Sequence, residues 1–298
     1  MFKKKHCSPS NKKNKGSCLN RPLLEKVAKV VSNLEKCGKI DCSVKCEKTL
    51  HKNICKELKK ISDCDNEACW MTIKELMDSL PSKERDDFKF SFKPVMPESW
   101  KQEPNKWLNT LDIDNVLEQY EDAFEKFKYF GATPIDFDKE DLSGKCSVND
   151  LCDVDIKELL DDGYESFGAV FNTDDSRGPG EHWFSVYVDL KGVNRKNKPG
   201  FYYFDSVGSD APDEIKELVE ELLGQSKSLV EKQDKRMPKE LEILYNDIQH
   251  QHGNTECGVY SLHFLTEMLQ GKNFKRYIKK KRSDKQMEKF RKIFFVEI

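Results

Sequence analysis

A chain of 298 residues with 37% hydrophobic and 10% aromatic side chains carries enough apolar material for one large globular domain or two smaller ones. The aromatic content and a net charge of −2 exclude a disordered chain, and the same charge balance argues against a protein that binds nucleic acid over its whole surface. No stretch approaches the roughly 20 apolar residues of a bilayer span, so no membrane insertion is expected.

In chain order, residues 1–6 are basic with no apolar core behind them, unlike a secretory signal, so an intracellular protein is expected. Residues 1–19 are rich in Lys, Asn and Ser, a composition that predicts a poorly ordered start. Asn20 and Pro22 then open a helix, with Leu24, Val27, Ala28, Val31 and Leu34 at helical spacing. Helical pattern continues over 46–61 and 71–80, Pro81 closes the region, and Pro94, Pro97 and Pro104 punctuate the segment after it. The expected division is a Cys-rich helical domain at 1–80 and a larger domain at 81–298.

The second region changes character. Ile113, Val116, Leu117, Tyr120, Phe124 and Phe127 form an apolar helical stripe. Segments 168–172 and 183–190 read as strands, the latter with Phe184, Val186 and Val188 alternating against Ser185, Tyr187 and Asp189. Residues 191–200, with Asn194, Asn197, Pro199 and two Gly, make a turn that folds 201–205 back as a hairpin. A helix over 213–223, a strand over 242–249 and a helix over 257–269 complete the pattern. Strands with flanking helices in this mixture predict an α+β fold.

Eight of the eleven cysteines (Cys7, Cys18, Cys37, Cys42, Cys46, Cys55, Cys64 and Cys69) fall in the first 69 residues. An intracellular address predicts reduced thiols unless the compartment is oxidising. No C-x2-C pair occurs, so free thiols are preferred over a structural zinc site or two disulfides between antiparallel helices. No metal and no cofactor is expected.

Four residues form a candidate reactive constellation. His182 stands at the mouth of one strand, after a loop rich in Gly and Asp, and Asp205 ends the strand that the hairpin brings alongside. A carboxylate there can reach the imidazole, fix its tautomer and stabilise its protonated form. Cys257 opens a helix, where the macrodipole favours thiolate over thiol, and Gly258 leaves its backbone open to an acyl group. Gln251 offers an amide N–H to an oxyanion beside the backbone N–H of Cys257. An activated thiolate, an oriented base and an oxyanion hole are what acyl transfer from a peptide carbonyl needs. Taken singly, each residue has an ordinary structural reading: a core cysteine, a satisfied histidine, a turn cap and a surface amide.

Gly180-Glu181-His182-Trp183, Phe204-Asp205-Ser206 and the run from Gln251 to Tyr260 resemble the signature of the adenain/Ulp clan of cysteine proteases. That clan includes proteases for SUMO and related modifiers, adenovirus protease, and core-maturation proteases of large DNA viruses. The helical N-terminal region is similar to the African swine fever virus-type polyprotein proteases. Trp107-Leu108-Asn109 resembles the clan's entry motif, with Thr110 where an Asp usually stands. The resemblance covers roughly 100–270 and implies an Ulp/adenain-like α+β core with His182, Asp205, Gln251 and Cys257 as catalytic residues. It also implies that Trp107 and Trp183 flank a tunnel for a Gly-Gly tail. The implied partners are protein substrates with Gly-Gly-Xaa junctions, in viral structural polyproteins within host cytoplasm or virion. Removal of SUMO or a related modifier by the same site is the alternative. The basic run Lys279-Lys280-Lys281-Arg282 and the acidic stretch 153–162 read as solvated faces, and the apolar 293–298 is expected to pack onto the core.

Overall fold

The computed structural model describes residues 6–10, 16–64, 66–140, 142–146, 148, 150–193 and 196–298. The basic start and Asn194 lie outside the described residues. The chain forms two units, residues 1–98 with 292–298, and residues 99–291. The expected division at 80/81 therefore shifts. Pro81 does not close the first unit but precedes the helix α4 (Ser82–Phe90), whose Phe88 is fully buried. Phe88, Phe92 and the returning Val296 all join the core of the first unit. The expected packing of the C-terminal residues is thus onto this smaller core, while Ile293 stays exposed.

In the first unit, Asn20 caps α1 (Arg21–Val31) by accepting from the Leu23 N–H, with Pro22 in the first turn. Leu24, Val27, Ala28 and Val31 bury one face against α2 (Glu47–Leu58). The expected helix over 71–80 is split into a 3-10 turn (Ala68–Thr72) and α3 (Lys74–Ser79). Parts of the expected disordered start are held: Leu19 is fully buried, and Cys7 and Cys18 form a disulfide. A second disulfide joins Cys64 to Cys69, while Cys37, Cys42, Cys46 and Cys55 are free thiols. Both bridges close short loops rather than linking antiparallel helices, because residues so near in sequence meet whatever the helix packing. A third, Cys146–Cys152, closes a loop of the second unit.

The second unit is built on a five-stranded mixed sheet in the order β1 (Phe127–Pro134), β2 (Ser166–Asn172), β3 (Trp183–Asp189), β4 (Gly200–Phe204) and β5 (Glu242–Tyr245). The outer pairs are parallel and the β2–β3–β4 core is antiparallel. The helical stripe ends as α5 (Thr110–Ala123), and Phe127 instead opens β1, which sequence periodicity missed. Gly131 has φ 90° and the register shifts between Tyr129 and Ala132, which breaks the two-residue repeat that announces a strand.

The alternation expected in β3 does not separate core from solvent, because every residue of that strand is buried. Phe184, Val186 and Val188 pack with Ile215, Leu218 and Val219 of α7 (Asp213–Glu231), which runs past Gly224 to eight residues beyond its expected end. The other face takes α8 (Cys257–Leu269). There Gly168 is required, since a Cβ would stand 3.0 Å from both Leu265 and the Val186 carbonyl. A helix buried nearly all round needs apolar residues all round, and α8 has them. Its neighbours are α5, α9 (Phe274–Lys279), and α10 (Asp284–Phe294), whose Phe290 ring lies 4.3 Å from His263. Among the described residues no helix is long and apolar enough to cross a membrane.

Candidate active site

The β3–β4 hairpin sets the first half of the site. His182 immediately precedes β3 and Asp205 immediately follows β4, and antiparallel pairing of Ser185 with Phe204 brings them to one end of the sheet. His182 Nε2 lies 2.7 Å from Asp205 Oδ1, which also accepts the Val207 N–H at 2.9 Å. Asp205 is 2% exposed, so this hydrogen bond is sheltered from water. The expected strand over 242–249 stops at Tyr245 because Asn246 turns the chain. Its amide donates to the Asp205 carbonyl at 2.6 Å and to the Ile248 carbonyl at 3.0 Å.

The second half comes from the loop before α8. The backbone N–H groups of His250 and Gln251 both donate to the Ser206 carbonyl at 2.8 Å, tying this loop to the residue after Asp205. The buried Gln251 side chain accepts from Ser206 Oγ at 2.8 Å and donates one amide hydrogen to the Gly253 carbonyl at 3.0 Å. That carbonyl fixes which end of the amide carries the NH2, and the second amide hydrogen is not used by this bond. Cys257 opens α8 and is buried.

The Cys257 sulfur lies within electrostatic reach of the His182 imidazole. Burial alone would lower the His182 pKa, but hydrogen bonds to Asp205 and to the Cys257 thiol, with the charges of both, push it up to about 10. The imidazole is therefore held as a cation at neutral pH, between a carboxylate and a sulfur. By contrast, burial drives His263 down to about 3 and also lowers His250, so these two neighbours are neutral structural groups.

The loop between β2 and β3 is ordered from within. Asn172 Oδ1 accepts from the N–H groups of Asp174 and Glu181, and the Asp174 carboxylate accepts from those of Asp175 and Gly180. Its shape presents His182 and Trp183 and makes one wall of a cleft of about 310 Å³. Trp107, Asn109, Thr110 and Trp183 also line this cleft. Trp183 is buried and donates from Nε1 to the Leu108 carbonyl at 2.9 Å, whereas Trp107 is 40% exposed.

Gly258 also has a packing reason. A Cβ there would stand 3.0 Å from the Leu108 Cβ, so the glycine serves close packing of α8 on the 107–109 segment. Sequence reasoning also missed Ser206, Asn246, Glu256 and Arg291. Ser206 was legible only as a neighbour of Asp205. Glu256 was legible only as a member of the run around Cys257, and Asn246 and Arg291 gave no signal, since they have partners far off in sequence: Arg291 pairs with Glu256 at 2.9 Å across 35 residues.

Residues 169–298 match the Ulp1 protease family, C-terminal catalytic domain. The chain is 28% identical over 233 residues to a protein of Acanthamoeba polyphaga mimivirus described as a thiol protease, covering 78% of this chain and 70% of that one. It is likewise 28% identical over 263 residues to a cysteine protease of African swine fever virus (Tick/Malawi isolate), covering 83% and 90%. The crystal structure of an African swine fever virus protease superposes with a TM-score of 0.70 at 21% identity, over 98% of this chain and 96% of that one, and shows the same fold. Residues 169–298 are thus a Ulp1-family catalytic domain, and the chain belongs to the thiol proteases.

Proposed function

We propose that this thiol protease is an endopeptidase that cuts after Gly-Gly in viral structural polyproteins, with Cys257, His182, Asp205 and Gln251 as its catalytic residues. The observation that carries the reading is one imidazole bonded to the Asp205 carboxylate at 2.7 Å, with the Cys257 sulfur near enough to act on its charge. In this mechanism the proton of the Cys257 thiol already resides on His182, and Cys257 Sγ attacks the carbonyl carbon of the second glycine. Asp205 holds the imidazolium in place. The free amide hydrogen of Gln251 and the backbone N–H of Cys257 receive the oxyanion. His182 then returns its proton to the leaving amine, leaving a thioester. A water, deprotonated by the same imidazole, hydrolyses the thioester to a Gly-Gly carboxylate and frees the thiol.

Two features support glycine on the acyl side. Trp107 and Trp183 line one cleft beside the histidine, and the Trp183 ring is fixed by its bond to Leu108. Indole walls exclude branched side chains sterically and admit hydrogen. Viral relatives that are proteases support action in an infected cell, in host cytoplasm or virion. A second reading, cleavage of a SUMO-like modifier, is favoured by the name of one relative, a SUMO-1 cysteine protease of African swine fever virus (Pig/Kenya isolate) at 27% identity.

The test incubates the protein with a Gly-Gly-Xaa junction peptide and, separately, with SUMO conjugates, and maps products by mass spectrometry. Cutting of the peptide alone is expected, abolished in Cys257→Ala and His182→Ala with folding unchanged. Wild-type-like turnover in either variant refutes the assignment, and cutting of the conjugates alone transfers it to the second reading.

A further inference from the structure

The 106–109 segment carries Trp107 but belongs to no helix or strand until Asn109 caps α5. Side chains from elsewhere hold it. Trp183 Nε1 grips the Leu108 carbonyl, and Gly258 lets α8 approach Leu108. On the other side of Trp107, Arg291 Nη1 donates to the Lys106 carbonyl at 2.8 Å. The same guanidinium donates from Nη2 to the Thr255 carbonyl at 3.2 Å and makes paired bonds to the Glu256 carboxylate, Nε to Oε2 at 2.9 Å and Nη2 to Oε1 at 3.0 Å. Its Cζ lies over the Trp100 ring, 4.7 Å from the centroid. Arg291 is 3% exposed and Glu256 1%, so one desolvated cation spans the peptide before Trp107 and the peptide before Glu256, the residue that precedes Cys257.

We propose that Arg291, held by Glu256, is a positioning residue that fixes the register between the Trp107 wall of the cleft and the Cys257 sulfur. A buried ion pair is weak evidence for stability as such, since burial costs both ions their hydration. What this pair supplies is geometry: five donors in a rigid fork reach acceptors on two separate loops. A misplacement of about 1 Å between a substrate-holding wall and a nucleophile costs turnover on the order of 100-fold. The proposal rests on the proposed roles of Cys257 and Trp107, and its test separates the two ideas.

The full chain is compared with Arg291→Lys and with the double variant Glu256→Gln/Arg291→Met, which leaves no orphaned charge. On a Gly-Gly-Xaa peptide, kcat of the double variant should fall roughly 10- to 100-fold, with KM within about threefold and Arg291→Lys intermediate. Alkylation of Cys257 by iodoacetamide, a reagent too small to need the cleft wall, should keep its pH profile within about twofold. An unchanged kcat in the double variant, or an alkylation profile that collapses with kcat, overturns the proposal. Hydrogen exchange reads the tie without turnover. Protection over 106–109 and 255–258 should fall together in Arg291→Lys while β2, β3 and β4 hold theirs, and unaltered protection there overturns the proposal whether or not the double variant folds. Failure of the wild type to cut any Gly-Gly peptide would overturn the substrate reading alone.

Discussion

Gly258 and Leu108 pack so closely that a side-chain carbon would crowd the contact: a Cβ on Gly258 would lie 3.0 Å from the Leu108 Cβ and 3.2 Å from its Cδ1. The contact sets how closely the start of α8, and with it Cys257, approaches the segment that carries Trp107. Alanine at 258 gains up to about 1 kcal/mol of helix propensity. It also overpacks a site whose nearest neighbour is a Cβ fixed to the backbone, at about 1–3 kcal/mol. Overpacking wins. Gly258→Ala should lower Tm by a few degrees and cut kcat/KM, read by calorimetry and peptide cleavage. A variant with wild-type Tm and turnover would show that the contact is slack.

Asp205→Asn preserves an oxygen that can still accept from Val207 but removes the carboxylate charge. Burial then acts on His182 with less opposition, so its pKa should drop from about 10 towards or below its ordinary value. For the wild type, a raised folded-state pKa means that the imidazolium persists at neutral pH and is lost as pH climbs through about 10. Peptide cleavage by the variant should be at least about 10-fold slower, with its alkaline limit moved to lower pH. An unshifted pH–rate profile would assign the titration to another group.

Ser206→Ala removes the hydroxyl that donates to Gln251 Oε1 and leaves a buried acceptor short of a partner, at about 1–3 kcal/mol. The amide loses one of the two bonds that orient it, so kcat should fall in the same direction as in Gln251→Ala but by less. Loss of one oxyanion donor costs about 10²–10³. Threonine at 206 should restore most of the loss. Equal activity in Ser206→Ala and wild type would mean that the Gly253 carbonyl alone orients the amide.

The first unit contains a buried ion pair whose contribution depends on pH. His51 Nε2 lies 2.9 Å from Glu67 Oε1, stacked on Trp70, with Glu67 also bonded to Ser17 and the Cys18 N–H. Burial opposes its charge, but bonds to Cys55 and Glu67 push His51 up to about 9. Because the folded pKa exceeds the unfolded value near 6.5, the stabilisation is complete below pH 6.5 and disappears as pH rises through about 9. Its size is on the order of 3 kcal/mol. Hydrogen exchange of the α1 and α2 amides should accelerate relative to its intrinsic rate between pH 6.5 and 9, and His51→Gln/Glu67→Gln should flatten that dependence. A wild-type profile as flat as the variant's would show that the pair contributes nothing.

The parts of the structure that were legible beforehand share a short range. Asn20 with Pro22 marks a helix start, 191–200 marks a hairpin, and the apolar run after Cys257 marks α8, because caps, turns and periodicities act within a few residues. What was missed is long-range or irregular. β1 is hidden by the irregularity around Gly131, the division between units by the return of Val296, and the disulfides by loop geometry that spacing does not encode.

By itself the sequence determined which residue types are present to do chemistry, and in what order, together with the local elements that carry His182, Asp205, Gln251 and Cys257. Only the tertiary structure decided that His182 and Asp205 meet at one end of a sheet with the Gln251 loop tied beside them, that Gly258 packs closely on Leu108, and that Arg291 bridges the 106–107 and 255–256 peptides. The reason is physical. A turn or a cap is decided by neighbours a few bonds away, whereas a hydrogen bond across 35 residues between Arg291 and Glu256, or across 185 between Arg291 and Lys106, exists only once the sheet and its helices have closed around it.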